Sequence, residues 1–289
     1  MFYGILVATK SSDQSGHAPE RAAMLAAASA TARLDVFSVI PPRGERRLVS
    51  WMRRKSVHEE RTLQQQTMQR LAQQSSQLQR LFGVHCTVAS GIGPLDMQTM
   101  ARVRATRPDL IVVAEDADWF TDAQGTHAAA MTARISGRPV LVVRSAPRGQ
   151  YTRVGITVDF SHASARTLRT VMRLLPTAQL TYLQVSGADL APDGADAGRQ
   201  ALPGGQGSAN AGFPVFADLV DAGKAAIPAP RQAGTAPASS HAEPDLVVLN
   251  DRQESLLTRL LQRKPSAKLG RISLSDILVV PTLEAGAPA

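Results

Sequence analysis

The sequence predicts an α/β fold made of two tandem parallel-sheet domains, the second one degenerate and carrying a flexible insert. Three observations carry this. Short apolar runs rich in Val and Ile recur along the chain, each bounded by breakers, as buried parallel strands do. Helical patterns lie between the runs, and that alternation calls for a parallel sheet with right-handed crossovers. The runs also repeat in one order. Ile5–Ala8 is answered by Val154–Val158, Leu34–Val39 by Leu180–Val185, Pro108–Val113 by Pro244–Leu249, and Pro139–Val143 by Asp276–Val280, at separations of 149, 146, 136 and 137 residues. A nearly constant offset is what tandem duplication leaves. It sets the domains at 1–148 and 149–289.

The elements follow in order. After the first strand, residues 17–33 read as a helix. Pro19 sits in its first turn, where a missing N–H costs nothing, and its alanine-rich body suits close packing on a sheet. The second strand is Leu34–Val39. Residues 55–82 form the longest helix, with Leu63, Met68, Leu71, Leu78, Leu81 and Phe82 inside an arc of roughly 140°. Val84–Val88, with the single cysteine Cys86 as a buried inert thiol, reads as the third strand. Residues 94–107 start at a proline and end before Pro108, both helix boundaries. The fourth strand follows, with Asp109 capping its start as Asp245 does in the second copy. A short helix over 126–136 leads to the fifth strand.

The second copy loses its long helix. Residues 186–244 hold 16 Ala, 9 Gly and 7 Pro in 59 positions, a spacing that leaves no useful helix. The segment reads as partly disordered, with Phe213–Val220 its one candidate strand.

Composition sets outer limits. The chain has 289 residues, enough for two domains with cores of their own. No run of about 18 apolar residues is present to span a bilayer. One cysteine excludes a disulfide framework. The start, MFYGILVATKSSD, lacks a secretory pattern, so a cytoplasmic location is expected. Net charge is +8, nearly all of it in residues 1–148, with seven basic residues between Arg43 and Arg61. Such a stretch attracts nucleic acid or another anionic surface, and serves equally well as a solvated helix face.

The signatures ILVATKSS, PDLIVVA and GRPVLVVR resemble the universal stress protein family, and the doubled arrangement is similar to its tandem members. The resemblance implies a Rossmann-like (flavodoxin-like) domain with five parallel strands, usually paired into a dimer-like unit. Here the two domains would form that pair within one chain as an intramolecular pseudo-dimer, with a homodimer as the further association left open.

Some members bind ATP. The resemblance places that site at an Asp ending strand 1 and a G-x2-G-x9-G-[ST] loop after strand 4. Glycines there admit backbone N–H groups to the phosphates. In the first copy Thr9-Lys10 ends strand 1, with Lys10 in place of the Asp. Ala114 and Ala117 replace two glycines, while Gly125-Thr126 keeps the final pair. Glu115, Asp116, Asp118 and Asp122 fill the loop and would repel a triphosphate, and an ion pair between Lys10 and this loop is the expected structural substitute. In the second copy Asp159 is present, and no glycine follows strand 4 until Gly270. The cofactor positions are therefore Thr9, Lys10, Gly125, Thr126 and Asp159, an incomplete motif with ATP as the one cofactor implied.

Catalytic and metal chemistry find no support. The six histidines never fall at H-x-H or H-x3-H spacing, and no P-loop, G-x-S-x-G or G-x-G-x-x-G run occurs. The expected function is that of a non-enzymatic cytoplasmic stress-response protein with degraded nucleotide sites, acting on an unknown protein partner or small ligand. Two alternatives stand beside it: an adenine-nucleotide switch at a reworked first site, and a basic module binding anionic lipid or nucleic acid through 43–61.

Overall fold

The computed structural model describes residues 4–10, 17–29, 32–41, 50–115, 128–158, 162–184, 244–252 and 275–282. Nine strands appear among them: β1 (Gly4–Lys10), β2 (Arg33–Ile40), β3 (His85–Ile92), β4 (Leu110–Ala114), β5 (Val140–Val143), β6 (Arg153–Val158), β7 (Gln179–Gln184), β8 (Leu246–Asn250) and β9 (Asp276–Val280). The helices are α1 (His17–Ala27), α2 (Ser50–Phe82), α3 (Leu95–Thr106), α4 (Ala128–Ser136) and α5 (His162–Leu174).

The strands make one sheet in the order β3-β2-β1-β4-β5-β9-β8-β6-β7. The order β2-β1-β4-β5 is mirrored by β7-β6-β8-β9, as the repeat offset requires. Pairing is parallel within each set, and β5 meets β9 antiparallel, Leu141 opposite Leu278. Two parallel edges therefore close on each other and neither is left exposed at the seam.

Alternation along the strands divides the core. Ile5 and Val7 face a layer built from α1, α2 and α5, with Ala22, Leu71 and Leu168 buried in it. Leu6 and Ala8 face the other layer, with Val103 of α3 and Ala130 and Ala133 of α4. Both faces being covered explains why the strands read as continuous apolar runs.

Two helix bounds differ from the sequence reading. α1 stops at Ala27, six residues short of Arg33, because the Ser29 N–H bonds back to Ala26 O at 2.9 Å and Ala32 N–H to Ser29 O at 2.9 Å, which turns the chain into β2. α2 begins at Ser50, five residues before the expected start. At 33 residues it is about 50 Å long, roughly twice the span of an eight-residue strand. Gln64 Nε2 lies 3.5 Å from Ser90 Oγ, near the end of β3, so the turns before Gln64 rise past the C-terminal ends of the strands.

α3 ends as Pro108 demands. Arg107 adopts the left-handed conformation (φ 47°) and its N–H closes on Val103 O at 2.8 Å. Cys86 is half-buried on β3; burial raises its thiol pKa and a hydrogen bond with Ser75 opposes the shift. The Ala/Gly/Pro-rich stretch 186–243, including the candidate strand Phe213–Val220, and the basic residues 43–47 lie outside the described residues.

Candidate functional site

In a doubly wound sheet, ligands bind at the C-terminal ends of strands where the order reverses. That point lies between β1 and β4 in the first set and between β6 and β8 in the second. Thr9 is buried at the end of β1, its Oγ1 donating to Phe37 O at 3.4 Å, and Lys10 follows it, half-buried. These two stand at the end of β1, beside the first crevice. Gly125, Thr126 and Asp159, the other expected cofactor positions, lie outside the described residues.

At the far side of the first crevice, β4 ends at Ala114 and Glu115 opens the loop. The Glu115 N–H bonds to Val143 O at 2.7 Å, which fixes the carboxylate beside the end of β5. There Arg144 grips it with both arms of the guanidinium: Nε to Oε2 at 3.0 Å and Nη2 to Oε1 at 3.0 Å. A planar fork on a carboxylate is the strongest pairing the two groups make. The remaining nitrogen, Nη1, is buried without a hydrogen-bond partner.

The second crevice repeats the device. Asp251 follows β8 as Glu115 follows β4, and its N–H bonds to Val280 O at 3.0 Å. Its side chain is 1% exposed. Oδ1 accepts the Thr282 N–H at 3.0 Å, and Oδ2 lies 3.6 Å from Arg134 Nε. Arg134 belongs to α4 of the first set and also donates Nη2 to Asp251 O at 2.7 Å. Asn250, ending β8, accepts the Arg252 N–H at 3.0 Å through its own side chain. In both crevices a carboxylate of the chain occupies the position after the fourth strand, and an arginine neutralises it.

The aspartates that precede the fourth strands differ from the expectation that they cap those strands: each side chain caps the start of the neighbouring first strand instead. Asp109 Oδ2 accepts the Gly4 N–H at 3.1 Å, at the start of β1. Asp245 Oδ2 accepts the Thr152 and Arg153 N–H groups at 3.1 and 3.0 Å, at the start of β6, and its Oδ1 takes Arg153 Nη2 at 2.9 Å. Burial alone would raise the Asp245 pKa, but the hydrogen bonds from Arg153 and Thr152 outweigh it and bring the carboxyl down to about 2.

A third polar group lies on the seam, and the sequence reading did not single it out. Asp276, the first residue of β9, is 2% exposed and accepts the Arg144 N–H at 2.8 Å and the Tyr151 hydroxyl at 2.5 Å. Arg21 of α1 reaches the same carboxylate, Nε 3.4 Å from Oδ2, and its guanidinium stacks 4.1 Å over the Tyr151 ring. Among the described residues no group of three or more His, Cys, Asp or Glu side chains is arranged to hold a metal ion, and no helix is long and apolar enough to cross a membrane.

Residues 1–144 match the universal stress protein family. No curated protein matches the sequence. Among solved structures, a universal stress protein from Archaeoglobus fulgidus DSM 4304 is similar at 13% identity and TM-score 0.59, covering 96% of this chain and 96% of its own. A functionally unknown protein from Pseudomonas aeruginosa PAO1 aligns over 97% of this chain and 92% of its own, at 13% identity and TM-score 0.45. The first of these agrees with the fold already described. With a first half that matches the family from β1 through β5, and a second set of strands that mirrors it, the chain belongs to the universal stress protein family.

Proposed function

We propose that the chain works as a non-enzymatic binding protein whose two nucleotide crevices are closed by its own ion pairs. Membership in the family makes it a stress-response protein of the universal stress type. The observation that carries the finer reading is the Glu115–Arg144 fork. A triphosphate needs cations and bare backbone N–H groups after strand 4. Here the first residue of that loop is an anion, and two of the donors of Arg144 are committed to it. Asp251 takes the same position in the second crevice, held by Arg134 and Thr282. An adenine-nucleotide switch using Lys10, Gly125 and Thr126 would have to displace this arrangement.

Calorimetric titration of the full chain with ATP and Mg²⁺ tests the reading. No saturable heat tighter than about 1 mM is expected. Stoichiometric ATP in the purified protein, or micromolar affinity, overturns it.

The same reading treats 1–148 and 149–289 as the two members of an intramolecular pseudo-dimer. The antiparallel β5–β9 seam supports it, since it satisfies within one chain the strand edges that two copies would otherwise share. Light scattering should then give the mass of a single chain.

A second reading concerns the basic stretch. The rise of α2 past the strand ends supports a contact for an anionic surface through 43–61. Such binding to DNA or to phosphatidylserine vesicles must weaken steeply between about 50 and 200 mM salt. Binding indifferent to salt, or none, removes it.

A further inference from the structure

The geometry points to a second ligand site, at the opposite ends of the strands from the crevices: a cavity of about 520 Å³ that takes a small carboxylate with an apolar body, its head group on Arg33 and His85. These two are register partners, the first residues of β2 and β3. Both side chains are exposed, and among the described residues neither has a hydrogen-bond or ion-pair partner. Among the described residues, none that lines the cavity is a carboxylate. Two cationic or cationisable groups side by side with no acid to answer them make an anion seat.

The rest of the lining sets the body of the ligand. Ala26 near the end of α1, Ala32 just before β2, and Phe82 and Val84 at the end of α2 form apolar walls. The space exists because the residues there are small. Gly83, in the left-handed conformation at φ +68°, has nothing within 4 Å of where a Cβ would stand. The volume falls within the range of small-molecule sites.

Position selects a carboxylate over a multiply charged anion. The C-terminal ends of α1 and α2 border the cavity and carry partial negative charge. The head group therefore belongs at the strand starts, and an uncharged body belongs against the helix ends. The planar fork of Arg33 matches a carboxylate through two parallel hydrogen bonds, and the His85 ring supplies a third donor.

Amide NMR titration of the full chain with hexanoate, hexylamine and inorganic phosphate tests this. Hexanoate should shift the amides of Arg33, Val84 and His85 saturably, while hexylamine and phosphate should not. Arg33→Gln and His85→Gln should each weaken hexanoate by about tenfold. Ala27→Leu, which fills the cavity from an exposed helical position, should abolish binding with the melting transition intact and keeps the test decisive if a charge variant misfolds. No saturation below about 10 mM overturns the proposal, as does equal binding of hexylamine or phosphate. An Ala27→Leu protein that still binds, or a folded Arg33→Gln protein with unchanged affinity, overturns it as well.

Discussion

Tyr151 donates its hydroxyl to Asp276 at 2.5 Å across the junction of the two strand sets. The connection after β5 thereby holds the start of β9. Arg21, stacked on the Tyr151 ring, also donates Nη1 to Gly149 O at 2.5 Å, so α1 of the first set is tied to the same group. Burial pushes the Tyr151 phenol well above 10, the negative charge of Asp276 adds to the shift and Arg21 opposes it, so the hydroxyl remains a donor throughout the ordinary pH range. Tyr151→Phe removes that donor and leaves Asp276 buried with one partner fewer. A loss of about 1–3 kcal/mol is expected. Urea denaturation reads it, and a shift under about 0.5 kcal/mol would mean the contact adds little to the seam.

Arg102 on α3 holds Asp35 of β2 with the same fork geometry that Arg144 uses on Glu115. Nε lies 2.7 Å from Oδ2 and Nη2 2.6 Å from Oδ1, and Thr87 Oγ1 donates to Oδ1 at 3.0 Å. The Asp35 hydrogen bond raises the Arg102 pKa above its usual value. Asp35→Ala strips Arg102 and Thr87 of their acceptor on the α3 face of the sheet. The expected cost is about 2 kcal/mol, with Asp35→Asn costing less because Thr87 keeps an oxygen to bond. Denaturation midpoints of the two variants rank them, and equal costs would assign the effect to charge alone.

The central strands were legible because both of their faces are buried. Such strands are apolar along nearly their whole length, so Leu110–Ala114 and Leu246–Leu249 announce themselves without alternation. The antiparallel seam needed no signal beyond the two fifth strands. Helix ends were less legible. Nothing in Ala28-Ser29 marks a stop by composition, and α1 ends there because the backbone hydrogen bonds tighten into a turn before Arg33. The site was half legible. The missing glycines and added acids could be read at Glu115 and in the run after β8. Arg144 and Arg134, which neutralise Glu115 and Asp251, act across 29 and 117 residues, and only the assembled sheet brings them to their carboxylates. Lys10 drew the expectation of an ion pair to the loop after β4, most of which lies outside the described residues; at Glu115 itself the partner is Arg144.

Glu115→Gln tests whether that carboxylate closes the first crevice. The substitution keeps the shape and removes the charge, leaving Arg144 with one nitrogen already lacking a partner and two more weakly held. Affinity for tripolyphosphate should rise by at least about fivefold, since a charge-assisted contact becomes available to an outside anion. Calorimetry compares the variant with the unaltered chain. Identical titrations would show that the crevice is closed by something other than Glu115.

Two carboxylates near strand starts, Asp245 half-buried and Asp276 buried, bend stability with pH in opposite directions. Asp245 has its pKa lowered from 3.8 to about 2 by its bonds to Arg153 and Thr152, after burial is overcome. The folded state holds fewer protons there than the unfolded chain, so the stabilisation is full above about pH 4 and is lost as pH falls through about 2. Asp276 is the reverse. Burial raises its pKa above 3.8, against the Arg144 and Ser145 N–H groups, the Tyr151 hydroxyl and Arg21, all of which favour the charged form. The folded state binds the proton more tightly, so the contribution of Asp276 is greatest below 3.8 and declines as pH rises through its folded value. Urea midpoints taken from about pH 2 to 7 on the unaltered chain, Asp245→Asn and Asp276→Asn separate the two. Asp245→Asn should flatten the acid limb between about pH 4 and 2. The cost of Asp276→Asn should shrink between about pH 4 and 7, because the unaltered chain alone must ionise a carboxyl inside the seam. A cost that grows over that interval would mean that the Arg21, Tyr151 and backbone contacts more than offset burial, and that the seam is held by an ion pair rather than strained by one.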